Sequence, residues 1–135
     1  MKIIVDTCIW SLALRRNNVV QNQYIGELRS LIEEIRVQLI GPIRQELLSG
    51  IKSKKQFNTL KLHLEAFDDV DLEVKDYELA AEYFNAARKK GIQGSNTDFL
   101  ICAISSRREM PILTTDKDFT NFQSVFPVSL HIPRG

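Results

Sequence analysis

The sequence predicts an α/β domain with a mostly parallel central sheet and helices on both faces. Three observations carry this. Short segments of strand length alternate with longer segments of helical periodicity along the whole chain. Most of the strand segments are continuous apolar runs, as strands covered on both faces require. The length, 135 residues, fits one domain with a real core, so 1–135 reads as a single unit.

Each element has its own warrant. KIIV, residues 2–5, is a short buried strand ending at Asp6. Residues 7–14 follow as a short helix. From 20 to 36, Ile25, Leu28, Leu31, Ile32 and Ile35 recur at helical spacing with charges between them. VQLI, 37–40, is a second strand. Gly41-Pro42 turns the chain, and Pro42 suits the first position of a helix that carries Glu46 and stops at Gly50. Residues 53–67 form another helix through Phe57, Leu60, Leu64 and Phe67. DVDLEV, 69–74, alternates as a third strand. Asp76 caps a helix running to Lys90, with Gly91 as its stop. A helix from 96 or 97 to 109, a strand at 112–115, a helical turn at 117–123 and a strand at 128–132 complete the chain.

Composition removes several function classes. Hydrophobic residues at 44% and charged residues at 26% are those of a globular chain, which excludes general disorder. The net charge of +1 argues against a broad basic face. No apolar run approaches the ~20 residues of a membrane span. The start MKIIVDTCIW is broken by Asp6 and does not read as a secretory signal, so the expected location is the cytoplasm. Cys8 and Cys102 each lie in an apolar stretch and read as two free thiols. His63 and His131 are isolated, so neither a zinc cluster nor a Ser–His–Asp arrangement is attractive. The glycines form no phosphate-binding loop. Carboxylates are the tools left for chemistry.

Four of them stand where a parallel sheet converges. Asp6 follows the first strand and Asp116 follows ILTT. Glu46 lies early in the helix after VQLI, and Asp98 opens the helix after GIQGSN. Side chains at strand ends and the following helix starts share one edge of such a sheet. Taken singly, Asp6, Asp98 and Asp116 each fit a helix cap, and Ser95-x-x-Asp98 resembles a capping box. Glu46 does not fit a cap, and caps have no reason to converge. Two carboxylates ~5 Å apart repel by roughly 3 kcal/mol at an effective dielectric of 20. A cation among them offsets this, and oxygen ligands without His or Cys select Mg²⁺ or Mn²⁺. Without a nucleotide-binding loop, such a cluster points to phosphodiester cleavage. Arg15, Arg16, Arg44, Lys52, Lys54 and Lys55 are candidates to hold phosphates, although each also fits a solvated surface.

These residues resemble the PIN domain family. The resemblance rests on Asp6-Thr7-Cys8 after the opening strand, Glu46 in IRQELL, Asp98 in TDFLICA and Asp116 in TTDKDF, and covers essentially the whole chain. The nearest subgroup is the VapC-type toxins of type II toxin–antitoxin pairs. The resemblance implies a three-layer α/β/α fold and a metal-dependent endoribonuclease that hydrolyses RNA to a 5′-phosphate and a 3′-hydroxyl. Asp6, Glu46, Asp98 and Asp116 would be both catalytic and metal-binding, with Asp118 as an auxiliary acid that also fits a cap on the turn Phe119 anchors. Thr7 and Thr115 would support the site through their hydroxyls. One or two Mg²⁺ or Mn²⁺ ions are implied. A VapB-type antitoxin, a homodimer, and contact with DNA only through the antitoxin are implied as well. The polar loop GIQGSN departs from the apolar, proline-containing loop common in the subgroup. Segments 20–36 and 53–67 then either cover the core or form the groove for an antitoxin peptide. Two other readings compete. One is a phospho-aspartate receiver or phosphatase, which needs paired acids at the first strand where Asp6 stands alone. The other is a PIN-like domain that binds RNA without cutting it.

Overall fold

The computed structural model describes residues 1–14 and 22–135. Its centre is a parallel sheet. Strand β1 (Ile3–Val5) pairs on one side with β2 (Val37–Gln38), placing Ile3 against Val37 and Ile4 against Gln38. On the other side it pairs with β3 (Ile112–Leu113), placing Ile4 against Ile112 and Val5 against Leu113. The order β2-β1-β3 and the parallel sense give the α/β class the alternation predicted. All three residues of β1 are buried, as the central strand of a covered sheet requires.

Two expected strands shrink to single bridges. In 69–74 only Asp69 pairs, with Leu39, and the chain then turns to begin a helix at Val74. In 128–132 only Leu130 pairs, with Ile112. The Ile112 N–H donates to the Ser129 carbonyl at 2.9 Å, and the His131 N–H donates to the Ile112 carbonyl at 2.8 Å. His131 then leaves the sheet direction to meet Glu27 at 2.5 Å, so this histidine is not isolated.

Among the described residues, seven helices accompany the sheet: α1 (Thr7–Leu14), α2 (Gln23–Glu33), α3 (Gly41–Leu48), α4 (Lys54–Leu64), α5 (Val74–Lys89), α6 (Asn96–Arg108) and α7 (Asp118–Gln123). Their ends follow local chemistry. Asn22 caps α2 by accepting from the Tyr24 N–H at 2.7 Å, and Ser53 caps α4 by accepting from the Gln56 N–H at 3.2 Å. Pro42 sits in the first turn of α3. The expected helix 20–36 is shorter: its start at 20–21 lies outside the described residues, and it ends at Glu33. Ile35 takes φ +56° and is 81% exposed, so it belongs to the exit turn and not to the apolar face.

α6 is the organising helix. Phe99 to Ser105 are all buried, as in a helix enclosed on every side. Aromatic contacts fix its first turn, with Phe99 5.4 Å from Phe84 and 5.1 Å from Phe122 between ring centroids. Gly94 precedes it because a Cβ there would stand 2.7 Å from the Phe122 ring and 2.9 Å from the Phe99 ring. This close approach sets where Asp98 enters.

A buried ion network joins α5 to the end of α6. The cap of α5 is Glu73, not Asp76; Asp76 is the third helical residue and accepts from the Glu73 N–H at 2.8 Å. Asp76 is 0% exposed and receives Arg107 at 2.6 Å and Arg108 at 2.5 and 2.9 Å. The Arg108 hydrogen bond, above all, holds its carboxyl far below the usual carboxylate range despite burial. No helix among the described residues is long and apolar enough to cross a membrane.

Candidate active site

Asp6 is the anchor. It leaves β1 with its backbone N–H donating to the Leu113 carbonyl at 3.0 Å, while its own carbonyl accepts from Ile9 to start α1. The side chain is buried. Oδ1 accepts from the Thr7 N–H at 2.8 Å, one residue on, which is not the bond an ordinary cap makes. Oδ2 accepts from the Thr114 hydroxyl at 2.8 Å, with the Cys8 thiol at 3.6 Å. Burial raises the Asp6 pKa against these hydrogen bonds, and the charge of Asp98 raises it further.

Asp98 serves two purposes at once. Its Oδ2 accepts from the Ser95 N–H at 3.0 Å while the Ser95 hydroxyl accepts from the Asp98 N–H at 3.1 Å, a complete capping box. That bond uses one carboxylate oxygen. Its pKa is raised, first by burial and then, against the Ser95 bonds, by the charges of Asp116 and Asp118. Glu46 projects from α3, one turn past Pro42, and is exposed. Burial of part of its carboxyl, then Asp6 and Asp98, raise its pKa, while a hydrogen bond from the Thr97 side chain opposes them.

The couplings map the convergence. Asp6 feels the charge of Asp98, Glu46 feels Asp6 and Asp98, and Asp98 feels Asp116 and Asp118. A shallow pocket beside them is lined by Thr7, Pro42, Gln45, Glu46, Ser49 and Thr97. Among the described residues, no three His, Cys, Asp or Glu side chains stand close enough to hold an ion between them as they are placed. The donor chemistry nevertheless fits a hard cation: every acid here is a carboxylate, and the Thr7 hydroxyl is buried without a hydrogen-bond partner.

The remaining expected residues separate. Asp116 accepts from the Asp118 N–H at 2.9 Å, an Asx turn that opens α7, and Phe119 is fully buried behind it. Asp118 is exposed. Thr7 meets Asp6 through its backbone, not its hydroxyl. Thr115 is corrected to Thr114: Thr115 is exposed and only its N–H is engaged, donating to the Cys8 sulfur at 3.4 Å. Thr114 donates to Asp6 and accepts from the Asp116 N–H at 3.0 Å, tying two strand exits together. The β1–β3 register, which sequence alone does not give, decides which threonine faces Asp6. Arg44 is no phosphate ligand here; it pairs with Asp69 and donates to the Leu64 and Phe67 carbonyls. Arg15 and Arg16 lie outside the described residues. Cys8 and Cys102 are both free thiols, and burial pushes the Cys102 pKa up, with Asp98 and Asp6 adding to it.

Comparison with known proteins agrees with this fold. VapBC2 from Rickettsia felis bound to a DNA fragment from their promoter superposes with a TM-score of 0.77 at 20% identity, covering 97% of this chain and 98% of that one. FitAcB from Neisseria gonorrhoeae gives 0.73 at 22%, covering 97% of both chains. FitAB bound to the IR36 DNA fragment gives 0.74 at 23%, covering 97% and 94%. No curated protein matches the sequence. The model of the PIN domain matches residues 3–124, which is most of the chain. The chain therefore belongs to the PIN domain family.

Proposed function

We propose that this chain is a metal-dependent endoribonuclease of one PIN domain, the toxin of a VapBC-type toxin–antitoxin pair acting in the cytoplasm. The carrying observation is that the end of β1, α3 and the start of α6 bring Asp6, Glu46 and Asp98 near enough for the charges of Asp6 and Asp98 to raise the Glu46 pKa. These are acids kept together where repulsion opposes it. PIN domains are generally nucleases, which supports the reaction class. Structural neighbours that are VapBC and FitAB complexes bound to DNA support an antitoxin partner, with DNA reached through that partner. A homodimer belongs to the same reading.

Asp6, Glu46, Asp98 and Asp116 would hold one or two Mg²⁺ or Mn²⁺ ions, with Asp118 auxiliary. When bound, such an ion neutralises charge developing on the phosphodiester and makes water a better nucleophile. The chain supplies the rest. Thr7 N–H and Thr114 hydroxyl fix both Asp6 oxygens, so this carboxylate cannot rotate. The Ser95 box fixes one Asp98 oxygen and leaves the other for the site. Glu46, exposed on α3, would take a proton from the attacking water at an Oε oxygen. The antitoxin would inhibit by inserting a basic side chain among these acids. Full inhibition by a partner stripped of Arg and Lys would contradict that.

The test is cleavage of a bacterial total-RNA pool with Mn²⁺, with fragment ends mapped, using wild type and Asp98→Asn and an EDTA control for each. The expected result is discrete cuts that disappear in both the variant and the chelated samples. Cuts that survive Asp98→Asn would remove this site from the reaction.

A further inference from the structure

The acid centre repels a polyanion, so the attraction for a nucleic acid must come from elsewhere. The chain carries only +1, which makes the placement of its cations informative. Arg36, Arg44, Arg107, Arg108 and Arg134 are all ion-paired with acids of the fold. Residues 50–64, GIKSKKQFNTLKLHL, hold four lysines and one histidine and no acid. Among the described residues, none of these lysines makes an ion pair.

This segment borders a groove. A cavity of about 740 Å³ runs between α1, α3 and α4. Lys55, Thr59 and His63 line it from one face of α4, four residues apart, and Gln56 and Ser53 stand beside them. Glu46 and Ser49 line both this groove and the pocket at the acid centre, so the two adjoin along α3. Lys55 and His63 are eight residues apart, ~12 Å of helix, which spaces two phosphate contacts along a strand.

We propose that this groove is the track along which a single-stranded RNA leaves the acid centre, with Lys55 and His63 of α4 as phosphate contacts. The inference rests on the ribonuclease reading. Lys55 supplies a point charge to a phosphate, and His63 supplies an N–H in either protonation state. Ser53, Gln56 and Thr59 add polar groups, and Leu47, Ile51 and Leu60 form an apolar floor for base faces. Lys55 is the lysine in the groove lining and Glu46 the acid; with Lys52, Lys54 and Lys61 on the same acid-free segment, the charge bordering the groove favours a polyanion over a basic peptide as the occupant.

The experiment is binding of a single-stranded RNA oligonucleotide in EDTA across a salt series, paired with cleavage kinetics in Mn²⁺. Lys55→Gln/His63→Gln is compared with Lys89→Gln/Lys90→Gln, which removes two lysine charges at the end of α5, away from the groove. The expected result is weaker binding by the groove variant, with a salt slope smaller by ~0.7 for the lost Lys55 contact. Its KM rises while kcat holds, and the α5 variant matches wild type. Equal losses in both variants, or none in the groove variant, would overturn the track while wild-type cleavage still upholds the ribonuclease. A groove variant that keeps RNA affinity but loses a co-purified protein would make the groove a protein dock instead. A wild type that neither binds nor cuts RNA would sink both readings.

Discussion

Asp76 and Asp6 are both buried aspartates, and the fold treats them in opposite ways. Asp76 meets two arginines and a backbone N–H, and its pKa falls far below the ordinary value. Asp6 meets a threonine hydroxyl, a backbone N–H and a thiol, with further acids as its charged neighbours, and its pKa rises. Local hydrogen bonds to Asp6 fix its orientation without cancelling its charge. In the nuclease reading proposed above, the difference separates an acid used to join two helices from an acid that would hold a cation. Opposite charges meet between α5 and α6, and like charges gather at the sheet edge.

Exchanging the fates of the two regions gives the strongest tests. Asp98→Asn is expected to lower cleavage by roughly 10²-fold or more, measured as initial rate. The amide oxygen still accepts from the Ser95 N–H, so the cap survives and the melting temperature does not fall. Asp76→Asn is expected to do the reverse. Two arginines are left beside a neutral amide, and about 3 kcal/mol of stability is lost in denaturant unfolding. Cleavage well below the melting temperature persists.

The pH dependence sharpens the contrast. The folded pKa of Asp76 is depressed, so its contribution is present above the unfolded value of 3.8 and is lost as pH falls below it. The folded pKa values of Asp6, Glu46 and Asp98 are raised, so the folded state binds more protons. Their effect is a loss of stability as pH rises from the ordinary carboxylate range through their folded values. Melting across this range without metal is therefore expected to show a stability gain on acidification from neutral pH, turning to a loss near and below 3.8. Asp6→Asn shrinks the first limb, and Asp76→Asn shrinks the second, of which Glu27 and Glu34, also lowered, keep a part. The smallest expected effect is Thr114→Val. It removes a donor from Asp6 and an acceptor from the Asp116 N–H, costs about 1 kcal/mol and reduces cleavage without abolishing it.

Much of the sheet and of the acid layout was legible in the sequence, because both depend on local pattern. KIIV is apolar and ends at a polar residue; IRQELL, TDFLICA and TTDKDF place acids at strand exits and helix starts. What was not legible depends on distant partners. Thr114 rather than Thr115 reaches Asp6 because β3 pairs with β1 in one register. Arg44 looked available until Asp69, 25 residues on, took it. Asp76 read as a cap because its arginines lie 31 and 32 residues away. Ile35 fitted the helical period, but the backbone leaves the helix at that point.

The proposed function requires that Asp6, Glu46 and Asp98 be held together for a cation and not for the fold. Thermal unfolding of wild type and Asp98→Asn, each with and without Mn²⁺, tests it most directly. Metal-free Asp98→Asn is expected to melt no lower than wild type. Mn²⁺ at 100 times its dissociation constant should stabilise wild type by about 2.7 kcal/mol and leave the variant nearly unmoved. A variant that melts well below wild type, and a wild type indifferent to Mn²⁺, would contradict it.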